Sequence, residues 1–236
     1  MPSLDEFFAF LCEPGHWVLA IDFPFGQPRK LIEDLRWPPT WQDYVNHVKQ
    51  MDVKEFAKQL SGYRDEETGK RLLKRKVDRL ANSISPMKLE YTPVAKMFFR
   101  GAPLLLASSC SIIPLRRRQP NAGVVVEGYP KLVAKTAGVR KYKDGPSDER
   151  IDRKKVRDSL VKWLQSSGPE LTYGFRVRLS SLVVNNCKED WQGDRLDAVL
   201  CAVQAAWAFL HRNRNYGIPL DCDRLEGWIA DPSLWQ

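Results

Sequence analysis

Histidine is scarce in this chain, and metal-binding cysteine pairs are missing. Only three histidines occur, His16, His47 and His211, far apart in sequence, and no two cysteines stand in a CxxC spacing. A structural zinc site is therefore not expected. The five cysteines, Cys12, Cys110, Cys187, Cys201 and Cys222, are scattered and odd in number, which fits reduced thiols in a cytoplasm better than a disulfide framework. No apolar run reaches the roughly 18 residues of a membrane span. The start of the chain has no basic segment, and Asp5 and Glu6 interrupt it, so it does not read as a signal peptide. Neither GxxxxGK[ST] nor GxGxxG occurs, which removes the common glycine-rich phosphate loops. Ser108, Ser109 and Cys110 have no histidine near them in sequence and make poor nucleophiles. Internal repeats, low-complexity segments and a clear linker are all lacking.

What remains is a basic chain with a substantial core. Its 236 residues carry 37 Lys plus Arg against 29 Asp plus Glu, a net charge of +8, and 43% of them are hydrophobic. That length suits one large domain, and the whole of 1–236 is read as one. A basic balance favours polyanionic partners, nucleic acid first, although a basic protein without such a partner has the same composition.

Apolar periodicity places the elements. Ser3-Leu4-Asp5-Glu6 is a capping box that opens a helix with Leu4, Phe7, Phe8 and Leu11 on its apolar face. Trp17–Phe23 reads as a strand buried on both faces, and Val124–Val126 as a second, ending at Glu127. Residues 29–100 are mostly helical, with clear periodicity at 40–50 and 52–63. The charged segment 64–83 reads either as a solvated helix face or as a phosphate-contacting surface. Residues 103–114 are apolar and pack as helix or loop. A helix is expected over 147–166 with Ser147 as its N-cap, residues 170–192 are ambiguous, and 193–212 is a helix with a core stripe of Leu196, Val199, Leu200 and Val203. Most of the tryptophans are read as packing residues rather than base-stacking platforms.

Carboxylates at the ends of these elements are the candidate chemistry. Asp22 ends the first strand, Glu127 ends the second, and Asp194 and Asp197 share a face at the start of the 193–212 helix. Each has a structural alternative: a turn for Asp22, a buried salt bridge for Glu127, and capping or dipole stabilisation for the helix pair. Together they suit a divalent site of hard oxygen ligands, Mg²⁺ or Mn²⁺. Lys74, Arg75 and the run Arg116, Arg117, Arg118 are the candidate phosphate contacts.

The segments IDFPFGQP, LKRKVDRLANSISPMK, FFRGAPLL, VVVEGYPKLVA, GDRLDAVLCAVQAAWA and EGWI, in that order, resemble domain-of-unknown-function family 429, described as RNase H-like nucleases. The resemblance covers about residues 15–230. It implies an α/β fold in which a five-stranded mixed sheet, order 3-2-1-4-5, is flanked by helices and binds metals through acids of its first strand, fourth strand and a late helix. On that mapping, the helix at Leu4–Leu11 is the first crossover, Val18–Phe23 is the fourth strand with Asp22 as its acid, and Val124–Glu127 is the fifth strand. The 193–212 helix supplies Asp197 with Asp194 in support, and 29–120 is a largely helical insertion that forms the substrate surface. The family's first strands, with an Asp in a Gly-Val-Asp-Phe-Ser pattern, have no counterpart here, so the sheet is expected to be N-terminally truncated. A sequence that begins late is the preferred explanation; a degenerate paralogue and an edge completed by a partner chain are the others. The expected function is metal-dependent hydrolysis of nucleic-acid phosphodiesters by Asp22, Glu127 and Asp197, weakened in this chain by the missing acid. A non-catalytic nucleic-acid-binding or interaction protein that kept the fold is the alternative, and hydrolysis of a small phosphate ester the third reading.

Overall fold

The computed structural model describes residues 3–117, 121–143 and 150–235. Arg118 and Ser147 lie outside them. The architecture is α/β: a small parallel sheet with helices on both faces.

The N-terminal half is mainly helical. Helix α1 (Leu4–Cys12) starts at the capping box, with the Glu6 backbone N–H donating to Ser3 Oγ at 3.1 Å and the Ser3 N–H donating to Glu6 Oε2 at 2.6 Å. Strand β1 (Val18–Ile21) follows, then α2 (Arg29–Asp34). Thr40 and Asp52 cap α3 (Trp41–Gln50) and α4 (Val53–Gly62) by accepting first-turn N–H groups. The charged segment is not one helix. Its first part is irregular, organised by Asp65, whose carboxylate accepts the N–H groups of Glu67 and Thr68. Only α5 (Lys76–Ala81) is helical, and Asn82, at φ 51°, ends it in the left-handed region that Asn tolerates. Helix α6 spans Val94–Ala107.

Strand β2 (Ser111–Ile113) then enters the sheet, so the expected helical insertion contributes a strand. Strand β3 (Val124–Glu127) lies between the other two in the order β1-β3-β2, and all three are parallel. The expected mixed sheet is therefore corrected to a parallel one among the described residues, with β3 central rather than at the edge. The register pairs Val18 with Val124 and Ile21 with Glu127.

Alternation of side chains splits the core in two. Ala20, Ile113, Val124 and Val126 face one apolar cluster, which also holds Leu132, Leu160, Leu200 and Trp207. These residues come from α7 (Pro130–Thr136), α8 (Arg150–Leu164) and α11 (Asp194–Leu210). Ile112 and Val125 face the second cluster, which holds Tyr44, Val45, Phe98 and Leu105 of α3 and α6. The ambiguous stretch 170–192 holds two short helices, α9 (Gly168–Tyr173) and α10 (Ser181–Glu189).

Close backbone approach fixes the loop after β1. A Cβ on Gly26 would meet the carbonyl oxygens of Leu225 and Glu226 at 2.5 Å, so the C-terminal segment lies directly on this loop. The bridge between Glu127 and Ile229, with the Ala230 N–H donating to the Glu127 carbonyl at 2.8 Å, ties the same segment to the end of β3. Among the described residues no helix is long and apolar enough to cross a membrane.

Candidate functional site at the ends of the strands

The parallel arrangement aims the C-terminal ends of β1 and β3 the same way, so Asp22 and Glu127 emerge side by side. Helix α11 packs along β1, and its first turn brings Asp194 and Asp197 to the same place. Asp22, Glu127, Asp194 and Asp197 all line one cavity of about 1700 Å³. Convergence of the four carboxylates on one cavity follows from this packing. Their local environments are very different.

Glu127 is buried and fully engaged. Arg75 reaches it with two parallel bonds, Nη2 to Oε1 at 2.6 Å and Nη1 to Oε2 at 2.8 Å. The Phe25 backbone N–H adds a third, to Oε2 at 2.9 Å. The same guanidinium grips Asp78, with Nε to Oδ2 and Nη2 to Oδ1 both at 2.9 Å, and Nη1 also donates to the Glu226 carbonyl at 3.0 Å. All five N–H donors of Arg75 are therefore used. Two carboxylates share one guanidinium, which leaves a net negative charge in a buried site. Burial pushes the Glu127 carboxyl above its ordinary range, against the opposing pull of Arg75 and the Phe25 N–H. Of the readings open from sequence, the buried salt bridge is what the geometry shows for Glu127.

Arg75 is therefore not a phosphate contact. It is buried to 1% exposure, and its charge is consumed inside the protein. Arg116 is corrected in the same way. It is buried and donates to the carbonyls of Leu105, Leu106, Ser108 and Cys110, tying the end of α6 to β2. Arg117 is exposed, but its Nη2 donates to Asn215 Oδ1. Lys74 lies on a second cleft of about 850 Å³, away from the carboxylates, where Arg29, Lys70 and Arg79 face Glu33, Asp223 and Glu226. Glu226 closes that side of the fold by accepting from the backbone N–H groups of Arg29 and Lys76, at 2.9 and 2.8 Å.

Asp197 is also buried and paired. The Tyr142 hydroxyl donates to its Oδ1 at 2.6 Å, and the Lys143 ammonium forms an ion pair with Oδ2. It does not cap its own helix: Gly193 holds the cap position, and Asp190 accepts the Arg195 N–H at 2.8 Å. Asp22 differs from both. It is half-buried, and among the described residues no donor or cation lies within bonding distance of its carboxylate. Burial raises it from 3.8 to about 6; Lys143 pulls it down, and Glu127 and Asp194 push it further up. Near neutral pH this is a carboxylate held at an energetic cost, the kind of group that marks functional clefts.

A divalent ion does not fit these side chains as they stand. Among the described residues no three Asp, Glu, His or Cys side chains come together as a metal-holding group. The compensating charge is already present on side chains: Arg75 at Glu127, Lys143 at Asp197.

Sequence reasoning missed Asp78, Tyr142 and Lys143, and it missed the basic lip beside them. Lys131 and Lys135 of α7, and Arg140 and Lys141 just after it, are exposed, and among the described residues none has a carboxylate partner. Lys131, Arg140 and Lys141 line the same cavity as the acids. The signal was in the spacing, since Lys131 and Lys135 are four apart and share a helix face. Comparison with known proteins found no matching family model, no matching curated protein and no matching solved structure.

Proposed function

We propose that this chain binds nucleic acid on an RNase H-like α/β layout and does not cleave it by itself. The observation that carries this reading is that side-chain cations, Arg75 at Glu127 and Lys143 at Asp197, hold two of the four carboxylates, beside a lip of four exposed cations that have no carboxylate partner among the described residues. What supports the RNase H-like layout is the adjacency of β1 and β3, parallel, with α11 packed on β1 and carrying Asp197. Lys131, Lys135, Arg140 and Lys141 would neutralise backbone phosphates, which gives affinity without sequence preference.

The test is fluorescence anisotropy on a mixed-sequence labelled single-stranded oligonucleotide across a salt series. Binding is expected to weaken steeply with salt. Converting the four lip cations to Gln should flatten the slope of log K against log salt by about 3, from roughly 0.7–0.9 per lost contact. An unchanged slope would exclude the lip as the binding surface.

A second reading, metal-dependent hydrolysis of the phosphodiester, is favoured by Asp22, whose unpaired carboxylate faces the cavity it shares with Asp194 and Asp197. Incubating the bound oligonucleotide with Mg²⁺ or Mn²⁺ and resolving the products decides between the two. Intact oligonucleotide after prolonged incubation is the expected outcome. Cleavage that requires the metal and disappears in Asp22→Asn would replace the binding reading with the enzymatic one.

A further inference from the structure

The turn before α6 carries a tyrosine that the fold does not use. Tyr91 is 96% exposed. Its backbone stands at φ 59°, in the left-handed region that a bulky side chain rarely adopts. The Thr92 N–H donates to the Glu90 carbonyl at 2.7 Å, which makes Tyr91 the middle residue of a γ-turn of the rare, strained kind with positive φ. The loop around it is closed and anchored. The Ala95 N–H donates to the Lys88 carbonyl at 3.0 Å, and Leu89 packs against the second core cluster. A strained turn therefore holds a large ring in water at the tip of a fixed loop. Strain of this kind collects at ligand-binding sites.

Cations surround the ring. The Lys88 ammonium lies over it, 5.8 Å from the ring centre. Lys96 and Arg100 are exposed, four apart on α6, and so share a face. Among the described residues neither has a carboxylate partner. Along 88–100 these three cations stand against one acid, Glu90. Thr92 and Arg100 line the cavity of about 1700 Å³, so the turn stands at its rim. Lys131, Arg140 and Lys141 of the lip line the same cavity. Helix α6 packs on the second core cluster and α7 on the first, so the two sets of cations lie on opposite faces of the sheet.

We propose that Tyr91 is a stacking platform for an unpaired base, and that the nucleic acid bound by this chain is single-stranded. The inference rests on the binding reading above and names its substrate class. A base lies on the face of the ring that Lys88 leaves open, and Lys88, Lys96 and Arg100 neutralise the phosphates next to it. Each nucleotide of a single strand brings a flat π-face beside a negative charge. An exposed ring among cations takes up that combination whatever the base. A duplex keeps its base faces inside its own stack and offers the ring only sugar and phosphate. An acidic peptide meets the cations but brings no such face beside each charge. The Tyr91 turn and the lip, on either side of the cavity, hold one strand across its mouth.

The probes are the labelled single-stranded oligonucleotide, its annealed duplex, and a strand of the same length whose bases are replaced by abasic sites, each measured by anisotropy. The single strand is expected to bind more tightly than the duplex at the same salt. Tyr91→Asn removes the ring and keeps a residue that tolerates left-handed backbone. It should weaken single-strand binding about fivefold to hundredfold, the scale of one base-stacking contact. Binding of the abasic strand and the duplex, and the salt slope, should stay as in the native protein. Tyr91→Trp should retain the affinity. Single-strand binding that Tyr91→Asn leaves unchanged, or an equal loss for the abasic strand, would overturn the platform. So would a duplex bound as tightly as the single strand. Binding that falls when the lip cations are converted but ignores Tyr91 removes this inference alone. Failure of all three probes to bind removes the binding reading with it.

Discussion

Arg75→Met is expected to destabilise the protein by about 3–5 kcal/mol, because removing one member of a buried ionic cluster strands the charges it compensated. Five donors disappear at once. Glu127 keeps the Phe25 N–H, and Asp78 keeps the Arg75 backbone N–H and the Ser83 hydroxyl at 2.8 Å, but neither keeps a cation. The damage also spreads along the chain. Arg75 joins the segment before α5 to the end of β3 through Glu127 and to the C-terminal segment through the Glu226 carbonyl, so three distant parts of the sequence lose a common tie. The loss should deepen as pH rises, since stranded carboxylates resist ionisation and protonation at low pH relieves them. Urea unfolding of both proteins at several pH values measures this directly. A loss below about 1 kcal/mol, the scale of an exposed ion pair, would mean that water reaches the cluster and the site is not closed.

The cluster also shows where sequence reading stops. Lys74, Arg75 and Lys76 are consecutive cations, and nothing in their types or spacing says that the middle one turns inward. Its carboxylate partners stand 3 and 52 residues away and its carbonyl partner 151 away, and the long separations close only in the folded chain. Arg116 and Arg117 repeat the lesson: one is buried on backbone carbonyls and its neighbour is exposed. By contrast, features decided within a few residues were legible. The capping box at Ser3, the helices over 40–50 and 52–63, and the apolar runs of β1 and β3 all carry their cause locally. Strand β2 was not legible, because its three residues, Ser111 to Ile113, are too few to show a period and follow directly on the apolar helix α6. That the acids could lie towards one side of the sheet was a guess from strand ends and helix starts; that all four line one cavity is visible only in the fold. Their pairing was not readable either, because Lys143 and Tyr142 come from a segment with no motif of its own.

Asp22→Asn is expected to stabilise the protein at neutral pH, the reverse of the usual effect of a substitution. The ordinary carboxyl value is 3.8, and the folded site raises it to about 6. Below about pH 4 the group is protonated in both folded and unfolded chains, and the aspartate has no penalty. Between about 4 and 6 the folded state holds a proton that the unfolded chain has released, so stability falls as pH rises through this window. Above about 6 the full penalty is present. At roughly 1.4 kcal/mol per pKa unit, reduced for the solvent that reaches a half-buried group, it amounts to about 1–3 kcal/mol. Asn keeps the shape and removes the charge. Urea midpoints of the two proteins should therefore nearly coincide at pH 4 and separate by pH 7, with the variant more stable. A gap that is the same at both pH values would show that Asp22 is not the titrating group. A carboxylate retained at such a position opposes stability, and residues of that kind are kept where a ligand or partner uses the charge.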